Sequence, residues 1–343
     1  MRAPSSTSSS DLRRIAVGLA LFALVLTVLD HGVWAALDRL KRGSGAWDGQ
    51  LERLYDGRLD AEVLLFGSSR MLTHVDPTVI EAATGLKAYN LGLDGTGLDQ
   101  HLFTLAEAVR FNRAPRVVVL GIDVSSFADG VEPPPGAFHP YALKVRSEIF
   151  RPYAMVSDEA YRLVNGTRPG PAETVERLLY RHLLPSLAFR DRVLDVIAAA
   201  RGRPREEGAG LRHVKGAILR PPRPGYRNTL EGPLAIAYDA AQVDKLERVV
   251  EFCREHGLAL VLVEMPWGFD IRAVAPNFAE IQARIEQAAA RPCVGLVDLT
   301  ADPDFRDPSL YIDAAHLDSR GAEAVSRKLA PVVSRALREC PRR

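Results

Sequence analysis

The stretch EVLLFGSSRMLTH, residues 62–74, raises the question on which the fold and the function depend. Its apolar run from Val63 to Gly67 is typical of a strand buried in a sheet, and two serines and an arginine follow at once. Apolar runs that end in Gly-Ser often do no more than mark a turn. The same order would also present Ser69 as a nucleophile at the edge of a sheet. Only the rest of the chain can decide between the two interpretations.

The composition indicates a globular protein with no strong charge preference. The chain has 343 residues, of which 25% are charged and 47% hydrophobic, which suits one large α/β domain with insertions, or two domains. Lysine and arginine total 44 against 43 acidic residues, so no overall field attracts nucleic acid. We therefore expect no nucleic-acid partner.

The cysteines do not follow a metal-binding or disulfide-rich pattern. There are three, far apart and without a CxxC pair: Cys253, Cys293 and Cys340. This spacing argues against a zinc site and against a disulfide framework. We expect free buried thiols, with one Cys253–Cys293 bridge as the alternative.

Three further histidines give no indication of a metal site either. His74, His101 and His139 have no partner at metal-ligand spacing, so we expect them at surface or helix-capping positions. Neither a metal nor a cofactor is expected.

The N-terminal region carries an apolar segment of membrane-spanning length. Residues Ile15 to Leu29 contain no charge, and after Asp30 and His31 the apolar character continues to Leu37. A helix needs about 20 residues to cross a hydrocarbon core. We predict a cytoplasmic tail at 1–14, a signal-anchor at 15–37 and a connector at 38–60.

Two alternatives to this anchor remain open. Arg13 and Arg14 favour a cytoplasmic N-terminus for an anchor, although basic residues beyond Leu37 weaken that bias. The small-residue pattern at Val33–Ala35 also fits a cleaved signal peptide. A buried core helix is the third reading. The first two both place the rest of the chain outside the cytoplasm.

Strand and helix patterns alternate from about residue 61. Five segments read as strands: 63–67, 87–91, 116–123, 258–264 and 294–299. Five segments read as the helices between and after them: 77–85, 98–111, 241–256, 276–290 and 319–337. Such alternation predicts parallel βαβ units and a sheet covered on both faces. We predict one five-stranded α/β domain from 61–127 and 240–338, with a mostly helical insertion at 128–239 that contains helices at 173–184 and 187–200.

Four polar loops leave the carboxyl ends of these strands, where ligands bind in open α/β sheets. They contain Ser69, the glycines of residues 90–97, the turn at 121–127, and Asp313 with His316. Asp-x-x-His lets one short turn present a carboxylate to an imidazole, and the imidazole can then take a proton from a hydroxyl. Because all four loops meet at one edge, Ser69 reads as a nucleophile and not only as a turn residue.

These loops resemble the conserved blocks of the SGNH (GDSL-type) hydrolase superfamily. The resemblance implies a flavodoxin-like three-layer α/β sandwich with a Ser-His-Asp triad. Its first block matches Gly67-Ser68-Ser69, its second matches Asn90 to Gly95, and its last matches Asp313 and His316. It implies Ser69 as nucleophile, His316 as base and Asp313 as orienter, with backbone N–H groups of Ser69 and Gly95 in the oxyanion hole.

The third block departs from the family pattern. The family usually has Gly-x-Asn there, whereas this chain has Gly121-Ile122-Asp123. An ionised Asp123 cannot donate a hydrogen bond to an oxyanion, and losing one such donor costs about 100–1,000-fold in turnover. Three outcomes stay open: Arg70 or the Ser69 N–H compensates, Asp123 is turned away from the oxyanion, or the protein is a weak or specialised catalyst. Arg70 and Trp267 are also candidates for the substrate cleft.

The anchor, the insertion and the altered third block resemble a narrower branch of that superfamily. Its members are membrane-anchored and act on envelope polymers beside polytopic O-acyltransferases, including systems for teichoic-acid D-alanylation and exopolysaccharide acetylation. We expect an extracytoplasmic esterase or O-acyltransferase that acts on acyl esters of envelope glycans, with membrane lipid and a polytopic O-acyltransferase as partners. A non-catalytic accessory subunit of such a system is the alternative.

Overall fold

The chain folds around one five-stranded parallel sheet. The structure, a computed structural model, describes residues 9–43, 50–55, 57–93, 96–122, 124–127, 162, 167–179, 183–184, 210–223 and 240–340. The strands are β1 (Val63–Phe66), β2 (Ala88–Asn90), β3 (Val117–Ile122), β4 (Arg212–Val214), β5 (Ala217–Leu219), β6 (Ala259–Glu264) and β7 (Val294–Asp298). The helices are α1 (Ser9–Gly43), α2 (Gln50–Tyr55), α3 (Ser69–His74), α4 (Pro77–Thr84), α5 (Leu98–Phe111), α6 (Pro171–Leu178), α7 (Ala240–Glu255), α8 (Ile271–Val274), α9 (Phe278–Ala289) and α10 (Ser319–Glu339).

The five strands predicted from the sequence form the sheet in the order β2-β1-β3-β6-β7, and every neighbouring pair is parallel. The prediction of an α/β domain with a five-stranded parallel sheet is therefore confirmed. Counted within the domain, the order is 2-1-3-4-5. Because all strands run the same way, the loops that follow β1, β2, β6 and β7 leave from one edge, which we call the carboxyl edge.

Alternating side chains divide the core between the two faces of the sheet. Leu64 and Phe66 of β1 pack against the face covered by α2, α5, α7 and α9. Val63 and Leu65 pack against the opposite face, which α3, α4 and α10 cover. Successive side chains of a strand point to opposite faces, so a strand buried on both sides reads as an unbroken apolar run. This is why the strands were recognisable in the sequence.

Helix α4 shows how local sequence sets the element boundaries. Asp76 caps its N-terminus by accepting the Thr78 N–H at 2.9 Å, and Pro77 occupies the first turn. Gly85 ends the helix with φ of 71°, a left-handed conformation that glycine adopts without steric cost. Both ends agree with the boundaries predicted from the sequence.

Helix α1 is long and apolar enough to span a membrane or to serve as a signal sequence. Its apolar span covers Ser10–Val33, with a mean hydropathy of 2.1, and of these residues only Asp30 is buried. The buried core helix considered as an alternative therefore does not fit.

The described parts of the insertion are not only helical. Helix α6 covers Pro171–Leu178, and the Leu184 N–H donates to the Leu179 carbonyl at 2.8 Å, a π-helical bond that continues towards the predicted end at 184. The predicted helix at 187–200 lies outside the described residues. Strands β4 and β5 form an antiparallel hairpin that the sequence did not predict. Its two-residue turn has φ of 46° at Lys215 and 87° at Gly216, as tight hairpins require. Strands of three residues are too short to show a clear alternation.

The cysteine prediction was wrong. Cys293 and Cys340 form a disulfide with their Cα atoms 5.3 Å apart, and only Cys253 is a free, buried thiol. Helix α10 runs back beside β7, so its last residues return to the segment that precedes that strand. This return is a tertiary contact, and sequence spacing does not reveal it.

Two of the three histidines expected at the surface are buried. His74 is 0% exposed and His101 is 4% exposed. His101 pairs through Nε2 with the Thr96 hydroxyl at 3.1 Å. His139 lies outside the described residues.

Candidate active site

The turn after β1 places Ser69 at the carboxyl edge. Strand β1 ends at Phe66 and α3 begins at Ser69, with Ser68 as its N-cap. Glycine is required at position 67, because a Cβ there would lie 2.6 Å from Cβ of Met71 in α3. This close approach lets the helix start directly at the end of the strand.

Ser69, His316 and Asp313 form a continuous hydrogen-bonded relay. The Ser69 Oγ lies 2.8 Å from Nε2 of His316. On the other side of the ring, His316 Nδ1 lies 2.9 Å from each oxygen of the Asp313 carboxylate. The three residues predicted to be catalytic therefore meet, although 247 positions separate the serine from the histidine.

The Asp313 carboxylate is held in its charged form. Partial burial opposes ionisation, but the N–H groups of Ala315 and His316 and the adjacent imidazole outweigh it and lower the pKa of Asp313 below its ordinary 3.8. An ionised Asp313 keeps the proton of His316 on Nδ1. Nε2 is then the acceptor for the Ser69 hydroxyl, which is the tautomer that a general base requires.

The loop that carries Asp313 and His316 is fixed at both ends and in its middle. The Ile312 N–H donates to the His316 carbonyl at 2.9 Å and closes the loop on itself. The Gly268 N–H, from the segment after β6, donates to the Ala314 carbonyl at 3.0 Å. Asp318 then caps α10 by accepting the N–H groups of Arg320 and Gly321. His316 is thus held by its neighbours on both sides.

His74 fixes the same loop from α3, the helix that begins with Ser69. Its Nε2 accepts the Leu317 N–H at 3.1 Å, and its ring lies edge-to-face with that of His316 at a centroid distance of 6.1 Å. Burial lowers the pKa of His74 well below 6.5, and repulsion from Arg70, from His316 when that ring is protonated, and from Arg220 adds to the effect. His74 is therefore neutral and acts as an acceptor. Sequence spacing gave no signal for this role.

Asn90 connects the loop after β2 to helix α3. Its buried Nδ2 donates to the carbonyls of Met71 and Val75 at 2.8 and 3.2 Å, and its Oδ1 accepts the Gly92 N–H at 2.8 Å. The sequence pointed to Asn90 only as the start of a motif. The structure shows that it joins α3 to the neighbouring loop.

Arg70 and Trp267, the two candidates for the substrate cleft, contact each other. Nη2 of Arg70 donates to the carbonyls of Met265 and Pro266 at 2.7 and 2.9 Å, and the guanidinium lies 3.9 Å from the centroid of the Trp267 ring. Arg70 is only 5% exposed. These contacts join α3 to the segment after β6. Arg70 is therefore a buried structural contact beside Ser69.

Of the residues predicted to form an oxyanion hole, only Ser69 lies in the described part of the chain. As the first residue of α3, Ser69 has a backbone N–H without an acceptor inside the helix. Gly95 and Asp123 lie outside the described residues, so their predicted positions at the oxyanion remain predictions. Within the described ranges, no group of three or more histidine, cysteine, aspartate or glutamate side chains is arranged to hold a metal ion.

The chain matches no protein-family model, and no curated protein is similar to it in sequence. The geometry of the site is therefore the basis for any statement about its function.

Proposed function

We propose that the protein is a serine esterase or O-acyltransferase that acts through a covalent acyl-enzyme. The observation that carries this proposal is the relay from Ser69 through His316 to Asp313, with 2.8 Å and 2.9 Å between the partners. The relay aligns a hydroxyl, an imidazole of the required tautomer and an ionised carboxylate. The strand order 2-1-3-4-5 is that of flavodoxin-like sheets, which supports the resemblance to SGNH hydrolases.

The chemistry follows from this order of groups. Ser69 Oγ attacks the carbonyl carbon of an acyl ester while His316 Nε2 takes the hydroxyl proton. The ester C–O bond breaks, and the same proton passes to the departing alcohol oxygen. In the second half, water or a sugar hydroxyl gives its proton to His316 and attacks the acyl carbon. The bond from that carbon to Ser69 Oγ breaks, His316 returns the proton to Oγ, and the free acid or the new ester departs. Water as acceptor makes the protein an esterase, and a sugar hydroxyl makes it an O-acyltransferase.

The proposed substrates are acyl esters, such as O-acetyl groups, of cell-envelope glycans. Two features support a position outside the cytoplasm. Helix α1 has the length and hydropathy of a membrane anchor. The Cys293–Cys340 disulfide is of the kind that persists in oxidising compartments. We propose a single-pass anchor with a cytoplasmic N-terminus, and an acyltransferase of the same membrane as partner.

Ser69→Ala tests the acyl-enzyme directly. The full chain in detergent should release p-nitrophenol from p-nitrophenyl acetate with a burst and should react with a fluorophosphonate probe. Both should disappear in Ser69→Ala, because no other hydroxyl contacts His316 Nε2 in the described site. Ser68→Ala is the matched control, since it removes only a 3.4 Å cap to the Arg70 N–H and should keep the label.

Mass spectrometry of the labelled peptide then assigns the probe to one of the two serines. Equal rates at background level in the wild type and in Ser69→Ala, with no label on either, would contradict the proposal. The chain would then fit a non-catalytic accessory subunit of a membrane O-acyltransferase system.

A further inference from the structure

The chain enters the α/β domain at the edge that carries the candidate active site. Helix α2 is the first described element after α1, and it begins at Gln50. The Gln50 side chain is 3% exposed, and its Nε2 donates to the carbonyls of Asn90 and Gly216, each at 2.7 Å. Asn90 is the last residue of β2. The start of α2 is therefore fixed to the carboxyl edge of the sheet.

From there α2 runs towards the opposite edge. The Asn112 side chain, which follows α5, donates to the Leu54 carbonyl at 2.8 Å and accepts the Leu59 N–H at 2.9 Å. Asn112 lies shortly before β3 and hence at the amino edge of the parallel sheet. The chain therefore enters the domain at the carboxyl edge, and α2 then runs towards the amino edge.

Asn90, which holds Gln50, and the loop that follows it also contact the segments on either side of Ser69. The Leu93 N–H, three residues after Asn90, donates to the Gly67 carbonyl at 2.9 Å. Asn90 itself donates to the Met71 carbonyl in the helix that begins with Ser69. The attachment point and the candidate nucleophile are therefore joined by two short chains of hydrogen bonds.

The distance from the apolar helix to this attachment point is bounded by the chain. Helix α1 ends at Gly43 and α2 begins at Gln50, seven residue steps later, which span at most about 25 Å even when fully extended. The apolar span of α1 ends at Val33, and the ten further residues to Gly43 add about 15 Å of helix, so the membrane surface lies at most about 40 Å along the chain from the carboxyl edge. The amino edge lies farther along the chain and on the far side of the domain.

We propose that the attachment of α2 orients the carboxyl edge of the sheet towards the bilayer. Ser69 then faces the membrane surface and receives its acyl group there. The proposal rests on the proposed function for the role of Ser69 and on α1 being retained as an anchor. The partner it implies is a bilayer surface that carries the acyl donor. A site at the free, outward edge of the domain would instead take its donor from solution.

Energy transfer from single labels to the lipid headgroups tests this orientation. The full chain is reconstituted in vesicles of phosphatidylethanolamine and phosphatidylglycerol with an acceptor dye on the headgroups. A donor dye is attached by maleimide to Ser69→Cys or, as the matched control at the amino edge, to the exposed Arg113→Cys. The native cysteines do not compete, because Cys293 and Cys340 are paired and burial raises the pKa of the Cys253 thiol.

The label at Ser69→Cys should transfer at least about twofold more efficiently than the label at Arg113→Cys, since a strand of six residues alone separates the edges by about 20 Å. A flexible insertion of about twenty residues between Gly43 and Gln50 should bring the two efficiencies together, because the tether would exceed the depth of the domain. Equal or greater transfer from Arg113→Cys in the chain of native length would overturn the proposal. A mass showing that α1 has been removed would overturn it as well.

The energy-transfer result can be read separately from the test of the proposed function. The fluorophosphonate label on wild-type Ser69 reports the nucleophile, and the headgroup transfer reports only orientation. A labelled Ser69 with the wrong orientation would remove this inference alone. The right orientation without labelling would remove the esterase and leave the membrane-facing edge.

Discussion

His74 and His316 lie side by side at the carboxyl edge, and the proposed mechanism needs them in different states. His316 has to take up a proton in each turnover. His74 has to stay neutral, because its Nε2 lone pair accepts the N–H of Leu317, the residue that follows His316. A proton on His74 would turn this acceptor into a donor that faces another donor. The positive groups around it, Arg70 and Arg220, oppose that proton.

The His74→Phe variant should lower kcat/KM for p-nitrophenyl acetate about 10- to 100-fold, because a base displaced by about 1 Å loses that much. The change keeps a buried ring but leaves the Leu317 N–H unpaired. His74→Gln is the matched control, since its amide oxygen can accept the same N–H and should retain more of the rate. The measurement is the pH profile of kcat/KM for both variants. Equal loss in the two would contradict a role for the lone pair.

The lowered pKa of His74 also makes stability depend on pH in a definite direction. The unfolded histidine takes up a proton near 6.5, whereas the folded one resists it to a lower pH. Between the two values the unfolded state binds more protons, so the free energy of unfolding falls as pH decreases below about 6.5 and is constant above it. Urea denaturation at a series of pH values should show a shallower decline for His74→Gln. An identical slope in both proteins would mean that His74 takes up its proton at the same pH in the folded and unfolded states.

The β4–β5 hairpin connects the insertion to both halves of the candidate site. The Lys215 carbonyl accepts the Asn90 N–H at 2.9 Å, next to α3. The Arg220 carbonyl accepts the Ser319 N–H at 2.7 Å, where α10 begins beyond His316. Arg212 adds an ion pair to the buried carboxylate of Asp76 at 2.9 Å. A two-stranded hairpin is only marginally stable alone, so these contacts hold it in place.

Gly216→Ala should release this hairpin. A Cβ at position 216 would lie 2.0 Å from the Asn90 carbonyl oxygen, and the residue has φ of 87°. Gly85→Ala is the matched control, because Gly85 has φ of 71° but no heavy atom within 4 Å of the added Cβ. The control should lose about 1–2 kcal/mol of unfolding free energy from backbone strain alone.

Gly216→Ala should lose about 2 kcal/mol or more beyond that control, because the clash with backbone breaks the Asn90 and Gln50 contacts as well. Urea denaturation measures both losses. Equal losses in the two variants would show that the hairpin moves away from Asn90 at no cost.

At the scale of the whole molecule, the features that the sequence predicted are those with a local signal. Strands β1, β3 and β6 appear as apolar runs because they are buried on both faces, whereas the edge strand β7 is only half-buried. Asp76, Pro77 and Gly85 mark α4 through their own backbone preferences. The relay of Ser69, His316 and Asp313 was predictable because parallel strands bring their carboxyl ends together. Motif order alone therefore placed these residues at one edge.

The features that the sequence did not predict depend on contacts between distant segments. His74 accepts a hydrogen bond from Leu317, more than 240 positions away, and no residue near His74 in the sequence indicates this contact. Gln50 lies between an apolar helix and a strand, and its role appears only when Asn90 and Gly216 converge on its amide. The pairing of Cys293 with Cys340 likewise depends on how α10 packs beside β7.

That pairing allows a prediction for the folded molecule as a whole. The two cysteines are 47 positions apart, and a cross-link over such a loop stabilises a protein by about 4 kcal/mol in the chain-entropy account. The double variant Cys293→Ser with Cys340→Ser should therefore unfold about 2–4 kcal/mol more easily than the wild type without reductant. With reductant, the wild type should fall to the level of the variant. Chemical denaturation under both conditions gives the comparison.

The same measurement bears on where the protein works. The bridge connects the end of α10 to the start of β7, and α10 begins two residues after Leu317, the residue that His74 holds. If the domain acts outside the cytoplasm, chains made with α1 in an oxidising compartment should carry the bridge, and chains made without α1 in a reducing cytoplasm should lack it and show the lower stability. Equal stability without reductant in the wild type and the double variant would mean that the bridge contributes nothing. Helix α10 would then be held to β7 by packing alone.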